Sequence, residues 1–287
     1  MQSLLTQIKA CFIVAGLPGQ LESAQQRFNQ ETDQQALLRL IQLALVLLGT
    51  ALLLWLIAGY HGAFHLLNQF TPYLPSTFWQ IATFMGDTTF VLALSLLVAR
   101  RNPAILWVLL IAAVYGTLAT HGFKNLFDAA RPPVALLTEE FNLVGRALKN
   151  GSFPSGHSLS ALVFVSTAYY FFRNPALRVA LLLVGGLVAL SRVMVAAHWP
   201  VDVLVGSALG ILVTVAAIVT AQKFSLGFRK PMHLFIVCLL LTAALMILGG
   251  HNGGYPQALL FAKVIALFSL IVFICEYFLP SQQSHSR

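Results

Sequence analysis

At 287 residues, with 58% hydrophobic and 9% charged residues, the chain is far from a soluble globular composition, in which about a quarter of residues are charged. The formal charge of +8 invites a nucleic-acid partner, but the basic residues stand singly or in pairs between apolar runs, so membrane topology accounts for them and nucleic acid is excluded. Three widely spaced cysteines, Cys11, Cys238 and Cys275, form neither a disulfide framework nor a zinc spacing.

Taken in order, residues 1–35 predict a cytoplasmic or interfacial segment. Leu4 to Val14 is broken by Gln7 and Lys9 and lacks the shape of a signal peptide. Apolar runs of roughly 20 residues, each long enough to cross a bilayer as a helix, then recur to the C-terminus. They predict an all-α polytopic membrane protein of about eight spans. The runs are Leu37–Ala58, Trp79–Ala99, Ala104–Phe123, Ser155–Phe172, Leu177–Met194, Pro200–Gln222, Leu234–Leu248 and Ala258–Phe278. The longest loop, residues 125–154, is broken by Pro132, Pro133 and Gly151. Arg39, Arg100, Arg101, Arg173, Arg178, Lys223, Arg229 and Lys230 fall on one side of this arrangement, which the positive-inside rule makes cytoplasmic, with both termini.

Three polar clusters then share the outer ends of spans three to six. Lys124 and Arg131 are seven apart and share a face if the helix continues. Pro132 biases Arg131 towards extended backbone. An arginine fork and a compact lysine charge suit phosphate oxygens, and both side chains also suit interfacial snorkelling. Ser155, Gly156 and His157 sit where the fourth span begins, so free backbone N–H groups and the helix dipole face an anion, and His157 can protonate a leaving oxygen. A plain serine cap with a surface histidine reads the same residues structurally. Arg192 ends the fifth span, His198 follows by six, and Asp202 by four more, with Pro200 opening the sixth helix. Asp202 can hold one ring nitrogen of His198 and leave the other to attack phosphorus. First-turn dipole compensation is the structural alternative for Asp202. His198 and Asp202 alone do not make a metal site. Asp87 in mid-span, Lys263, Glu276, His121, and the loop histidines His61, His65 and His251 read as structural or surface residues.

Lys124-x6-Arg131-Pro132, Pro154-Ser155-Gly156-His157 and Ser191-Arg192-x5-His198-x3-Asp202 together resemble the tripartite signature of the type 2 phosphatidic acid phosphatase superfamily, in order and without substitution at a key position. The resemblance covers residues 83–222, including Gly86-Asp87. It implies a six-helix catalytic core, placed here at residues 36–222, with two additional C-terminal helices in 223–287. It also implies a phosphohistidine mechanism with no metal and no cofactor. Carried over, His198 is the nucleophile, Asp202 its orienter and His157 the general acid. Lys124, Arg131, Ser155, Gly156 and Arg192 hold the phosphate.

The expected activity is dephosphorylation of a lipid phosphate or diphosphate at the periplasmic face of a bacterial inner membrane. Undecaprenyl diphosphate, phosphatidylglycerol phosphate, phosphatidic acid and lipid A phosphate all fit, since the motifs read only phosphate. Transfer of the phosphoryl group to another lipid such as lipid A is the alternative. A non-enzymatic transporter is the distant one, and it leaves the clusters unexplained.

Overall fold

Backbone polar groups have no water to bond in hydrocarbon, so an apolar chain that crosses it does so with every N–H and C=O satisfied within a segment, as a helix. The computed structural model describes residues 16–278, and every regular element in that range is helical. Cys11 and the whole of the Leu4–Val14 stretch lie outside the described residues.

Helix α1 (Leu17–Gln30) is amphipathic and buries Leu17, Leu21, Ala24 and Phe28. Helix α2 (Gln34–Ala58) starts on Asp33, whose carboxylate accepts from the Ala36 amide at 2.9 Å. A short α3 (Phe64–Asn68) precedes α4 (Ser76–Phe84) and α5 (Thr88–Ser95). Next come α6 (Pro103–Phe127), the single turn α7 (Pro132–Ala135) and α8 (Gly156–Phe171). The chain ends with α9 (Pro175–Met194), α10 (Pro200–Lys223), α11 (Lys230–Leu248) and α12 (Leu259–Phe278).

Among the described residues, six helices are long and apolar enough to cross a membrane: α2, α6, α9, α10, α11 and α12. Two of the eight predicted spans depart from a simple crossing. The second is broken, with α4 and α5 meeting at a bend of 66°. Asp87 causes the break: its side chain caps α5 by accepting from the Thr89 amide at 2.8 Å, which stops α4 from running on. The fourth, α8, has 16 residues, fewer than the roughly 20 a bilayer core asks for.

Helix α10 is central, packed against α2, α6 and α8. It can approach α8 closely because of its glycines: a Cβ on Gly206 would lie 2.5 Å from the Ser155 carbonyl oxygen. The last two helices pack against α5 and each other. At the basic end of the bundle, Arg178 reaches Asp33 at 2.7 Å, Arg173 reaches Glu31 at 3.1 Å, and Arg101 pairs with Glu276. The three polar clusters lie at the other end.

Candidate active site

The nucleophile candidate is placed by a tight turn. Residues 195–199 join α9 to α10, and Ala196 adopts left-handed backbone at φ 57°. This lets the amides of Ala197 and His198 both donate to the Arg192 carbonyl, at 3.0 and 3.2 Å. Trp199 locks the turn: it is fully buried, donates from Nε1 to the Ala130 carbonyl at 2.8 Å, and stacks on His61 at 3.8 Å. Pro200 then opens α10, as its fixed φ favours.

His198 is buried at 2% exposure. Its Nε2 lies 3.1 Å from Arg131 Nη1. A guanidinium carries donors only, so Nε2 is the acceptor and the proton of the neutral ring sits on Nδ1, facing Asp202 Oδ2 at 3.5 Å. Burial first, then the Arg131, Arg192 and Lys124 cations, lower His198 well below the ordinary histidine value.

Asp202 is fully buried and more heavily partnered than its spacing suggested. Besides facing His198, it accepts from the Ser152 hydroxyl at 2.5 Å, from the Trp199 amide at 3.0 Å, and from the Tyr60 hydroxyl. Burial, then the Asp202 charge and the bond to it, raise the Tyr60 phenol far above its usual range, so it stays a donor.

Lys124 and Arg131 do not share a face of a continued helix. Helix α6 ends at Phe127, and Asp128 turns left-handed at φ 31°. Arg131 is instead extended (φ −86°, ψ 161°), as the following proline dictates. Three main-chain carbonyls hold its guanidinium: Asn150 at 2.9 Å, Ala197 at 2.8 Å and Gly151 at 3.1 Å. Lys124 comes from the last turn of α6 and packs beside Gly151, within electrostatic reach of Arg131 and Arg192.

Ser155 is the N-cap of α8 rather than its first residue. Its Oγ accepts from the Ser158 amide at 3.3 Å and hydroxyl at 2.8 Å, while its own amide donates to the Asp202 carbonyl at 3.1 Å. The hydroxyl proton of Ser155 and the amides of Gly156 and His157 remain for an anion. His157 interacts electrostatically with Arg192, His198, Arg131 and Lys124, which brings all three clusters into one place. It lines a cavity of about 250 Å³ between α5, α6 and α8, together with Gly116, Thr120, His121 and Gly156. Asp87 Oδ2 stands 3.9 Å from His157 Nε2 and Asp87 Oδ1 3.5 Å from His251 Nε2, so Asp87 faces the polar interior.

Arg192 is 1% exposed. One nitrogen, Nη1, donates to Thr83 Oγ1 at 2.5 Å and to the Tyr255 hydroxyl at 2.8 Å. Three buried nitrogens of the site have no hydrogen-bond partner among the described residues: His198 Nδ1, with the Asp202 carboxylate 3.5 Å away, and, with no carboxylate that near, Arg192 Nε and His157 Nε2. Buried polar atoms are almost always paired, so the latter two mark a place that suits a polar ligand. Sequence reasoning missed Tyr60, Ser152, Thr83 and Tyr255. Each is one hydroxyl in an apolar or loop setting, with no spacing to mark it. Of the residues read as structural or surface, His61 stacks on Trp199, His65 meets the Glu140 carbonyl at 3.2 Å, and Glu276 pairs with Arg101.

No curated protein matches the chain. Among solved structures, the crystal structure of Aquifex aeolicus LpxE is similar, with 26% identity and a TM-score of 0.46, covering 54% of this chain and 91% of that one. Residues 104–226 match the family model of the PAP2 superfamily, and this stretch contains every candidate residue from Lys124 to Asp202. Across this core the chain is similar to the PAP2 superfamily.

Proposed function

We propose that this chain hydrolyses the terminal phosphate of a membrane lipid phosphate or diphosphate through a phosphohistidine on His198. The observation that carries the proposal is the contact of Arg131 with His198 Nε2: an unprotonated ring nitrogen lies beside a cation that can hold the phosphate it attacks.

In the first step the Nε2 lone pair forms a bond to phosphorus as the bond from phosphorus to the lipid oxygen breaks. His157, which takes up a proton as the bound phosphate's negative charge offsets the surrounding cations, gives that oxygen its proton. Asp202 stabilises the positive charge that develops on the His198 ring through its Nδ1 proton. Arg131, Arg192 and Lys124, with the first amides of α8, neutralise the phosphoryl oxygens, so on this reading no metal ion is needed. In the second step water attacks phosphorus, His157 takes its proton, and the nitrogen–phosphorus bond breaks to release inorganic phosphate and restore His198. The cavity at His157 suits the lipid side of the leaving group, since the acid must touch the oxygen that departs. By the positive-inside rule, the basic end of the bundle supports a reading with the termini in the cytoplasm and the site at the outer face of a bacterial inner membrane.

The test is phosphate release from purified protein with excess chelator, on undecaprenyl diphosphate, phosphatidylglycerol phosphate, phosphatidic acid and a lipid A phosphate. Release from at least one is expected, with loss of about 10³-fold or more in His198→Ala. Full activity in that variant would overturn the mechanism. Label appearing on an acceptor lipid, with none in water, would replace hydrolysis by phosphoryl transfer.

A further inference from the structure

Arg192 owes its geometry to a part of the chain outside the matched core. Tyr255 lies in the turn between α11 and α12, 63 residues further on, and is 2% exposed. Its hydroxyl accepts from Arg192 Nη1 at 2.8 Å, and the guanidinium sits over its ring at 5.6 Å. Because Tyr255 uses oxygen lone pairs for Arg192, its own phenolic proton stays available to a second acceptor.

The turn is built and anchored. Tyr255 and Gly254 donate main-chain amides to Asn252, at its carbonyl (2.8 Å) and side-chain oxygen (2.9 Å). Gly253 and Gly254 take left-handed backbone at φ 57° and 91°. Gln257 docks the turn on α4: its amide donates to Gln80 Oε1 at 3.0 Å, and its Oε1 accepts from Ser76 and Thr77, each at 2.8 Å. The ring of Tyr255 is closed in from the other side by Gly145, where a Cβ would come within 2.7 Å of it. The same turn reaches the acid: His251 faces one oxygen of Asp87, whose other oxygen faces His157.

A free arginine side chain loses rotamer entropy when it is fixed. Fixing Nη1 on Thr83 and Tyr255 removes that cost before an anion arrives and leaves Nε unpartnered. We infer that the α11–α12 turn is a positioning element of the phosphate site, with Tyr255 setting the guanidinium of Arg192 for the phosphate oxygens. This rests on the proposed role of Arg192 as a phosphate ligand.

The experiment titrates orthovanadate, a phosphate-shaped oxyanion, into the full chain in detergent by calorimetry, alongside kcat/KM on a lipid phosphate and the thermal midpoint. Tyr255→Phe keeps the ring and removes the hydroxyl. It is expected to weaken vanadate binding and lower kcat/KM about tenfold, as loss of a charge-assisted hydrogen bond does, with the midpoint held. In an Arg192→Ala background the same change should add nothing, because Tyr255 acts through Arg192. Gln257→Ala, which loosens the turn without touching the site, should shift vanadate affinity in the same direction and keeps the test open if Tyr255→Phe folds poorly. Vanadate affinity within twofold of wild type in both variants would overturn the inference, as would an undiminished Tyr255→Phe effect without Arg192. Wild-type protein that neither binds vanadate nor releases phosphate would instead bring down the phosphatase reading itself.

Discussion

Nucleophilic attack needs an unprotonated ring nitrogen, whose lone pair is released when Arg131 turns its donor to the phosphate, and two separate features keep Nε2 of His198 unprotonated. Arg131 approaches Nε2 with a donor and so cannot share a proton there, and burial among three cations makes a second ring proton costly. The sign for activity follows from the lowered value. Between the folded-state value and the ordinary 6.5, where a free histidine would already be gaining charge, His198 stays neutral. The acid-side loss of kcat/KM therefore falls below pH 6.5. A pH profile in mixed buffers, corrected for the substrate phosphate's own ionisation followed by phosphorus NMR, checks this. An acid limb centred at or above 6.5 that survives the correction would show a nucleophile that titrates like a solvated histidine.

The elements carry these residues only because two helices approach closely enough to exchange backbone bonds. The start of α8 touches α10 so tightly that the Ser155 amide reaches the carbonyl of Asp202, tying the anion-binding turn to the nucleophile's orienter. Gly206 makes room, since a methyl there would meet the Ser155 carbonyl oxygen at 2.5 Å, against main chain that cannot swing aside. Gly206→Ala should cost about 1–3 kcal/mol of stability through overpacking, and should cut kcat/KM by about tenfold or more through displacement of the α8 N-terminus. Thermal unfolding in detergent and phosphate release on the same preparation test both. Gly186, on the face of α9 where a Cβ meets nothing within 4 Å, is the control: Gly186→Ala should leave turnover within twofold. Equal losses in the two variants would mean that the contact at Gly206 does not set the site.

At the scale of the whole molecule, the helices were legible because hydrocarbon leaves a chain few options, and apolar runs bounded by Arg, Pro and Gly register that directly. The gathering of Lys124, Arg131, His157, Arg192, His198 and Asp202 was legible too, since their spacing puts them at helix ends on one side. The break at Asp87 was not legible, because the apolar run passes through it and only the cap on Thr89 shows that the helix restarts. Nor was the contribution of Tyr255, a contact that depends on how α11 and α12 pack against α5 rather than on any local pattern. The same packing bears on orientation. The bundle's basic end is held by ion pairs of Arg173 with Glu31 and Arg178 with Asp33, while Arg131 and Arg192 at the opposite end are buried in the site. Bilayer insertion retains Lys and Arg on the cytoplasmic side, so the proposed orientation rests on the charges of the basic end and not on the site cations. In a cysteine-free background, Lys149→Cys, in the loop that feeds the site, should react in intact cells with a membrane-impermeant maleimide. Lys223→Cys, at the end of α10, should react only after the membrane is opened. The reverse pattern would place phosphate removal in the cytoplasm and require the lipid substrate to be presented from the inner leaflet.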